Sequence, residues 1–371
     1  MRKNALVIAG LALLSTNAFA SKARVQALGQ DTVRGSEYIA DSRNIFRNPA
    51  ALNETKNYLV TEWGTAVDSD GNSAPRADGG FFREMGAFNY GVYLGSDSER
   101  NAARTAAGTF LSQDNAIDLF LAGDMGVKWG ASIHYASGKD ESLPALTPIT
   151  RKNSALGVSL GVVAGAAEGY LDLDISDKST GTTTLASDEF KTKPSYIVGG
   201  SYTMNDFTMF ASYENGKTER NVATVASTVK DTAIVAGVGR TMEINPTARV
   251  YGDLQLNLGT NEVTAGKTKT QSLPLTLAME ADATSWLTIR GSVSQPIILN
   301  SSKNTAGKKT TVANQTAVAA GATLNFGKLK VDGLIGTTEG NRAATTVTGN
   351  TNKGILTTDN LMTRVAVSYW F

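Results

Sequence analysis

The feature that most constrains this chain is a rhythm of long alternating segments that meet at very short turns. From residue 123 onward, short turns recur near positions 123, 165, 205, 245, 282 and 326, at intervals of 37 to 44 residues. Each interval holds two long strands and one longer loop rich in Thr, Lys, Asn and Gly. Because each unit contains two strands and not four, the repeat is a β-hairpin and not a propeller blade.

The strands have one apolar and one polar face. Between residues 127 and 135 the odd positions are apolar, whereas Lys128, Ser132 and His134 occupy even positions. Strands of 10–14 residues, with short turns at one end and long loops at the other, are typical of an outer-membrane barrel. Since lipid offers no hydrogen bonds, such a sheet must close on itself. We therefore predict an all-β, transmembrane antiparallel β-barrel with short periplasmic turns and long extracellular loops.

The first twenty residues have the composition of a signal peptide. The basic segment MRKN precedes the apolar run ALVIAGLALL, which is too short to span a bilayer, and small residues at Ala18 and Ala20 favour cleavage after Ala20. After Ser21 no run approaches 18 apolar residues, so we expect no transmembrane helix. The sequence therefore predicts an exported protein.

Composition excludes several classes of function. The chain has 35 Lys and Arg against 34 Asp and Glu, so its charge gives no reason to expect nucleic acid as a partner. It contains no cysteine, which rules out disulfides and thiolate metal sites. We expect no metal, no cofactor and no catalytic residues. His134 is the single histidine, and a hydrogen-bonded lumenal role is favoured over catalysis.

We divide the chain into a signal peptide (1–20), an N-terminal periplasmic or lumenal segment (21–56) and a barrel (57–371). The part from Met125 to Phe371 holds twelve strands. Before it lie three candidates, Asn57–Val67, Gly80–Leu94 and Asn115–Ala122, of which an even number must belong to the barrel. Either the first or the last can be left out, so we predict about 14 strands, within a range of 12 to 16. The segment 21–56 is long enough to form a partial plug.

The last strand carries a recognisable pattern. Val365, Val367, Tyr369 and Phe371 alternate with other residues up to the end of the sequence. This pattern resembles the C-terminal signature of Gram-negative outer-membrane proteins. The resemblance implies that Val367, Tyr369 and Phe371 form a signal for the barrel-assembly machinery. It also implies an outer-membrane location among lipid and lipopolysaccharide and, from porins of this size, a homotrimer as the candidate assembly.

A second resemblance concerns the segment IFRNPAAL, residues Ile45–Leu52. It is similar to the Asn-Pro-Ala element that precedes the first strand in FadL-like barrels, at Asn48, Pro49, Ala50 and Leu52. That family implies a 14-stranded transporter of hydrophobic compounds with an N-terminal hatch inside the barrel.

Extending the alternation along every strand predicts a pore lining of mixed charge. The predicted pore-lining residues are Arg83, Lys128, His134, Glu168, Asp172, Asp174, Glu214, Arg249, Asp253, Glu280, Arg290, Lys328, Lys330, Asp332 and Arg364. These side chains favour a porin-like channel for passive diffusion of small hydrophilic solutes. The alternatives are a FadL-like transporter with a hatch and a structural or adhesive barrel with a plugged pore.

Overall fold

The chain forms a single antiparallel sheet that closes on itself. The structure is a computed structural model that describes residues 21–64, 76–96, 104, 110–113, 115–142, 149–182, 187–222, 225–264, 266–305, 307, 309–311, 316–339, 357–361 and 364–371. Its strand segments are β1 (Tyr58–Gly64), β2 (Arg76–Met85), β3 (Phe88–Ser96), β4 (Ala116–Asp124), β5 (Lys128–Ser142), β6 (Ile149–Ala164), β7 (Ala167–Thr182), β8 (Ser187–Met204), β9 (Phe207–Val222), β10 (Val225–Asn245), β11 (Ala248–Val263), β12 (Gly266–Thr284), β13 (Leu287–Lys303), β14 (Lys309–Thr311), β15 (Ala317–Phe326), β16 (Leu329–Glu339), β17 (Thr357–Leu361) and β18 (Arg364–Trp370).

These eighteen segments make a barrel of sixteen strands. The short β14 pairs with β13 at the level beyond β15, and the short β17 pairs with β16 at the level beyond β18. Each therefore continues a longer strand. The first strand pairs with β2 on one side and with β18 on the other, where Tyr58 lies opposite Trp370. This pairing closes the barrel.

The predicted count of about 14 strands is wrong, because Gly80–Leu94 contains two strands and not one. Residues 86 and 87 form a tight turn between β2 and β3, and Gly86 has a φ of 62°. A single glycine carries this turn, without the polar cluster that marks a loop, so the segment looks continuous in sequence. All three N-terminal candidates contribute to the barrel, and the even number is reached at sixteen.

Short and long connections lie at opposite ends of the barrel. Seven turns of two or three residues join β2–β3, β4–β5, β6–β7, β8–β9, β10–β11, β12–β13 and β15–β16. Gly165 and Gly327 have φ values of 60° and 70°, the left-handed conformation that two-residue hairpin turns require. The start of β1 and the end of β18 lie at this same end, which we call the turn end. The opposite end is the loop end.

The outer face of the barrel carries a band of exposed apolar side chains. On β10, Ile234 and Ile244 are 46% and 61% exposed and lie ten residues apart on the same face. That separation is about 33 Å along a strand, and about 25 Å once a strand tilt of about 40° is included. Exposed aromatic rings cluster at the turn end: Phe88, Phe207, Trp286, Phe326 and Phe371. This outer face matches the apolar band and aromatic girdle of a membrane barrel.

Arg104, between β3 and β4, has helical conformation, but the helical structure with described bounds lies in the segment before β1. It comprises α1 (Lys22–Ala27) and two 3-10 helices, η1 (Ser42–Phe46) and η2 (Pro49–Asn53). No helix in the described part of the chain is long and apolar enough to cross a membrane. The predicted signal peptide, residues 1–20, lies outside the described residues.

The largest apolar cluster lies inside the barrel, between this N-terminal segment and β1–β4. Ile45 and Leu52 of the segment pack with Tyr58, Phe82 and other residues of the wall. The rings of Tyr58 and Phe82 stack with centroids 4.6 Å apart. The ring of Phe82 covers Gly91 on the neighbouring strand, where a Cβ atom would overlap it.

The Gly91→Ala substitution should lower the free energy of unfolding by about 1–3 kcal/mol, because the added methyl group must displace the buried Phe82 ring. The matched control is Gly333→Ala, where a Cβ atom meets nothing within 4 Å. Urea unfolding in detergent micelles measures both. Equal effects at the two positions would contradict the packing described here.

Candidate functional site

The segment 21–56, which we call the hatch, lies inside the barrel. At Gly161 on β6 a Cβ atom would overlap the side chain of Asn48, and at Gly130 on β5 it would overlap the backbone of Pro49 and Ala50. The hatch therefore fits against bare stretches of the wall. Asn48 also caps η2, since its Oδ1 accepts a hydrogen bond from Ala50 N at 3.0 Å.

The hatch reaches the opposite wall as well. A Cβ atom at Gly239 on β10 would overlap the Tyr38 ring, and one at Gly321 on β15 would crowd the Cβ of Ala27. Inside the hatch, Gly35 has a φ of 80° and packs directly against Asn44. The hatch thus spans the lumen between wall strands on both sides.

All six basic residues of the hatch form ion pairs with acidic residues on strands. The pairs are Lys22–Asp78, Arg24–Glu280, Arg34–Asp172, Arg43–Glu62, Arg47–Glu168 and Lys56–Glu84. A further pair with the opposite polarity joins Glu54 of the hatch to Lys128 of β5. The charges of the wall and of the hatch are therefore complementary.

The most buried of these pairs belongs to a chain of five charged groups. The Arg24 guanidinium donates to both carboxylate oxygens of Glu280, from Nε at 2.8 Å and from Nη2 at 3.1 Å, and to Asp41 at 3.0 Å. Glu280 also pairs with Arg290 at 3.0 Å, which in turn pairs with Asp332 at 3.1 Å. Three acids thus share two arginines, so this cluster of five groups has an excess of negative charge when all five are ionised. Burial raises the pKa of Asp41 to about 7, against the lowering effect of Arg24.

A second polar cluster fixes the hatch to β1–β3. Arg43 donates from Nη1 to the Tyr93 hydroxyl at 3.1 Å, and that hydroxyl lies 2.8 Å from Asp78 and 3.0 Å from Glu62. The backbone N–H of Lys22 donates to the other oxygen of Glu62 at 2.7 Å. The neighbouring acids hold the pKa of Arg43 above its ordinary value despite burial. These groups lock α1 and η1 against one side of the wall.

A third cluster fixes the hatch to β7. Arg47 donates to Glu168 at 2.8 Å and lies 3.2 Å from Glu37 of the hatch itself. Arg34 pairs with Asp172, four residues beyond Glu168 on the same inward face. Burial raises the pKa of Glu37, against the opposing influence of Arg47.

Above the hatch, towards the loop end, lies a cavity of about 770 Å³. Its floor includes Arg34, Arg43 and Phe46 of the hatch, and its walls belong mainly to β4–β11. The lining is mixed: Asp172, Asp174, Glu214 and Arg220 contribute charge, and Phe46, Phe120 and Phe190 contribute rings. The cavity can therefore contact both polar and apolar parts of a solute.

Part of the connection between β3 and β4 folds inward at the rim of this cavity. Arg104 is fully buried, pairs with Asp177 and lies over the Phe190 ring, with its guanidinium carbon 5.2 Å from the centroid. Gln113 approaches His134 Nε2 at 3.3 Å, while His134 Nδ1 lies 2.7 Å from Asp118. Both ring nitrogens of His134 are thus engaged.

Most of the predicted pore-lining residues lie in or near the lumen, in several different positions. Five contact the hatch directly, namely Lys128, Glu168, Asp172, Asp253 and Glu280. Arg290 pairs with Glu280, and Asp332 pairs with Arg290, so these two reach the hatch only through Glu280. The cavity is lined by His134, Asp174, Glu214 and Arg364. Lys330 lies over the Trp370 ring at 5.4 Å, and Arg249 pairs with Glu243 near the turn end.

Arg83 and Lys328 lie elsewhere. Arg83 is exposed on the outward face, because Phe82 turns inward and its neighbours alternate accordingly. Lys328 is exposed in the turn between β15 and β16, where its carbonyl oxygen accepts from Trp370 N at 2.9 Å. Of the predicted assembly signal, Tyr369 and Phe371 are exposed on the outer face and Val367 is half-buried; Val365, on the same face, is also exposed.

Sequence reasoning missed the hatch cations and their partners Glu62 and Asp78. A signal was present: the segment 21–56 carries six basic residues, and the predicted lining contained acids without assigned partners. Pairing these basic residues with those acids would have predicted that the segment 21–56 lies in the lumen.

Comparison with known proteins gives only distant structural similarity. No protein-family model and no curated protein matches the chain. Among solved structures, a Pseudomonas aeruginosa FadL homologue is 12% identical, covers 95% of this chain and 98% of its own, and has a TM-score of 0.45. The Ralstonia pickettii toluene transporter TbuX is 11% identical, with coverage of 96% and 99% and a TM-score of 0.37. The outer-membrane alcaligin receptor FauA from Bordetella pertussis is 8% identical, with coverage of 82% and 56% and a TM-score of 0.47.

Arg24→Met should lower the free energy of unfolding by about 3–5 kcal/mol, because it leaves Glu280 and Asp41 buried with one arginine fewer. Lys56→Met, which removes the exposed pair with Glu84, should leave stability within measurement error. Urea titration in micelles compares the two variants. A loss from Lys56→Met as large as that from Arg24→Met would show that burial does not set the strength of these pairs.

Hatch docking should weaken as pH rises from about 4 to 7. Since burial raises the pKa of Asp41 to about 7 from 3.8, the docked hatch holds a proton that a released hatch gives up in this window. Limited proteolysis of the segment 21–56 should therefore be faster at pH 8 than at pH 5. The Asp41→Asn variant should lose most of this difference, and an unchanged pH dependence in that variant would contradict the assignment.

Proposed function

We propose that the chain is an outer-membrane transporter whose lumen is closed by its own N-terminal hatch. The observation that carries the proposal is the set of six ion pairs between hatch cations and wall acids. A barrel of sixteen strands is too wide for its own side chains to fill, so an inserted segment decides whether it conducts. The occupied lumen favours the hatch-bearing alternative over an open channel for passive diffusion.

An outer-membrane location is supported by the outer face of the barrel. The exposed apolar band of about 25 Å has the height of the hydrocarbon region that such barrels cross. Closure of the sheet leaves no backbone edge facing lipid. The short turns would then lie in the periplasm, and the longer connections outside the cell.

Ion pairs suit a segment that must leave its place during transport. Charged side chains that separate can be hydrated by water entering from the turn end. A plug held only by apolar contacts would instead expose apolar surface to water on release. The lining of the cavity above the hatch fits a small solute with both an apolar body and a charged group. Phe46 and Phe120 offer rings, Arg220 offers positive charge, and Asp174 and Glu214 offer negative charge.

The test is single-channel recording in planar bilayers. The wild-type protein should stay closed for most of the recording, and a variant lacking residues 21–56 should show steady conductance. Because a deletion can misfold, the Arg24→Met/Arg47→Met double variant, which retains the segment, should give frequent partial openings. Steady full conductance from the wild-type protein would refute the hatch.

A tether supplies the control. The chain has no cysteine, and Ala27 lies beside Gly321, where a Cβ atom would be 2.7 Å from the Ala27 Cβ, so Ala27→Cys/Gly321→Cys can form a single disulfide across the hatch and the wall once the two Cβ atoms move apart by about 1 Å. The oxidised variant should block proteoliposome uptake of 3-phenylpropanoate, and a reductant should restore it. Uptake that continues with the disulfide formed would place the route outside the hatch. Faster uptake of glucose than of 3-phenylpropanoate would contradict the proposed solute class.

A further inference from the structure

Beyond the apolar band, the outer face of the barrel carries lysines in an arrangement that its own acids do not balance. On β7–β10 the pairing register places Lys178 opposite Lys191, and Lys193 opposite Lys217, which lies opposite Lys230. Directly opposed like charges destabilise an antiparallel pair. A row of three lysines across three neighbouring strands is therefore a place where an external anion would relieve repulsion.

The same arrangement recurs on both sides of this patch. Lys139 on β5 lies opposite Lys152 on β6, and Lys269 on β12 lies opposite Lys303 on β13. All four are exposed. Lysine pairs thus face each other across five strand interfaces within the arc from β5 to β13.

The acids on this face are too few to neutralise the central patch. Two carboxylates serve these three lysines. Glu219 lies 3.8, 3.4 and 2.8 Å from the Nζ atoms of Lys191, Lys193 and Lys217, and Glu189 lies 3.5 Å from Lys191. Lys230 pairs with Glu262 at 3.3 Å. With Lys178 and Lys230 included, five lysines face three acids, Glu189, Glu219 and Glu262, among the described residues of this patch, which leaves a net positive charge.

The position of the patch relative to the apolar band identifies the kind of anion. Tyr196 and Tyr213 are outward-facing neighbours with ring centroids 6.0 Å apart, and they mark the loop-end edge of the band. On β9, Lys217 lies four residues beyond Tyr213 on the same face, which is about 13 Å along the strand and about 10 Å in height. That height is the level of lipid headgroups next to an interfacial aromatic ring.

We infer that the outward lysines of β7–β10, Lys178, Lys191, Lys193, Lys217 and Lys230, form a binding site for the phosphate groups of an outer-leaflet glycolipid of the lipid A type. Several converging ammonium groups on rigid strands match a headgroup that presents more than one phosphate. A bound phosphate group would neutralise the opposed lysines and bridge their ammonium groups, so that their mutual repulsion would be relieved. The inference rests on the proposed outer-membrane location but not on transport through the hatch.

The experiment compares the full-length protein with Lys193→Gln/Lys217→Gln in nanodiscs that contain lipid A or its dephosphorylated form. Wild type should retain phosphorylated lipid A in native mass spectrometry, and the variant should bind it roughly 10- to 30-fold more weakly. Arg83→Gln/Lys328→Gln is the matched control, since both basic side chains are exposed and lie near the turn end; it should bind like wild type. Equal binding by all three proteins, or equal retention of dephosphorylated lipid A, would overturn the site.

A second measurement keeps the test independent of folding. Without anionic lipid, Lys193→Gln/Lys217→Gln should melt at a higher temperature than wild type, because repulsion between the opposed lysines is removed. In nanodiscs with lipid A the order should reverse. A melting order that does not depend on lipid would refute the inference. Failure of the barrel to insert into any bilayer would instead refute the membrane location, and normal hatch gating without phosphate preference would refute only the lysine site.

Discussion

Every backbone hydrogen-bonding group on a lipid-facing strand needs a partner within the sheet, and this requirement governs the rest of the structure. It forces β1 to pair with β18 as well as with β2. Closure with sixteen strands produces a lumen that wall side chains cannot fill. The chain occupies that lumen with residues 21–56 and so converts a wide pore into a closed compartment with a cavity above it.

The chemistry of the hatch follows from where it sits. Arginines dominate because the guanidinium group can serve two acceptors at once, as Arg24 does with Glu280 and Asp41. Glycines on the wall allow the backbone at Asn48 and Pro49 to approach the strands closely. The ion pairs orient the hatch, and the glycines of the wall allow its backbone to come into close contact with the strands. The apolar cluster around Phe82 adds stability on the side of the seam.

The barrel and most inward positions could be predicted, because strict alternation records the two faces of a strand. The inward and outward alternation could not be extended along a strand beyond a β-bulge. The register between β6 and β7 shifts between Leu156 and Gly157, so Ile175 and Lys178 both face outward although their numbers differ in parity. The predicted inward orientation of Arg83 differs from the structure for a related reason. Phe81 and Phe82 are both aromatic, and only packing decides which of them turns inward.

The hatch could be predicted as a segment but not as a set of contacts. Its partners lie on β1, β2, β7 and β12, and no local pattern in the sequence links Arg24 to a glutamate 256 residues away. The cavity was likewise hidden, because its floor comes from the hatch and its walls from strands far along the chain. Such pairings are set by closure of the barrel, which a one-dimensional pattern does not encode.

That separation of 256 residues also determines the order of assembly. The N-terminal segment is synthesised first, yet β12, which holds Glu280, is among the later strands to be made. Closing so long a loop is entropically costly before the intervening strands are in place. The contact of Arg24 with Glu280 can therefore form only late, whereas the contacts of Arg43 with Glu62 and Tyr93, which are closer in sequence, can form early. A protein built in this way completes most of its wall before the last contact of the hatch closes the opening.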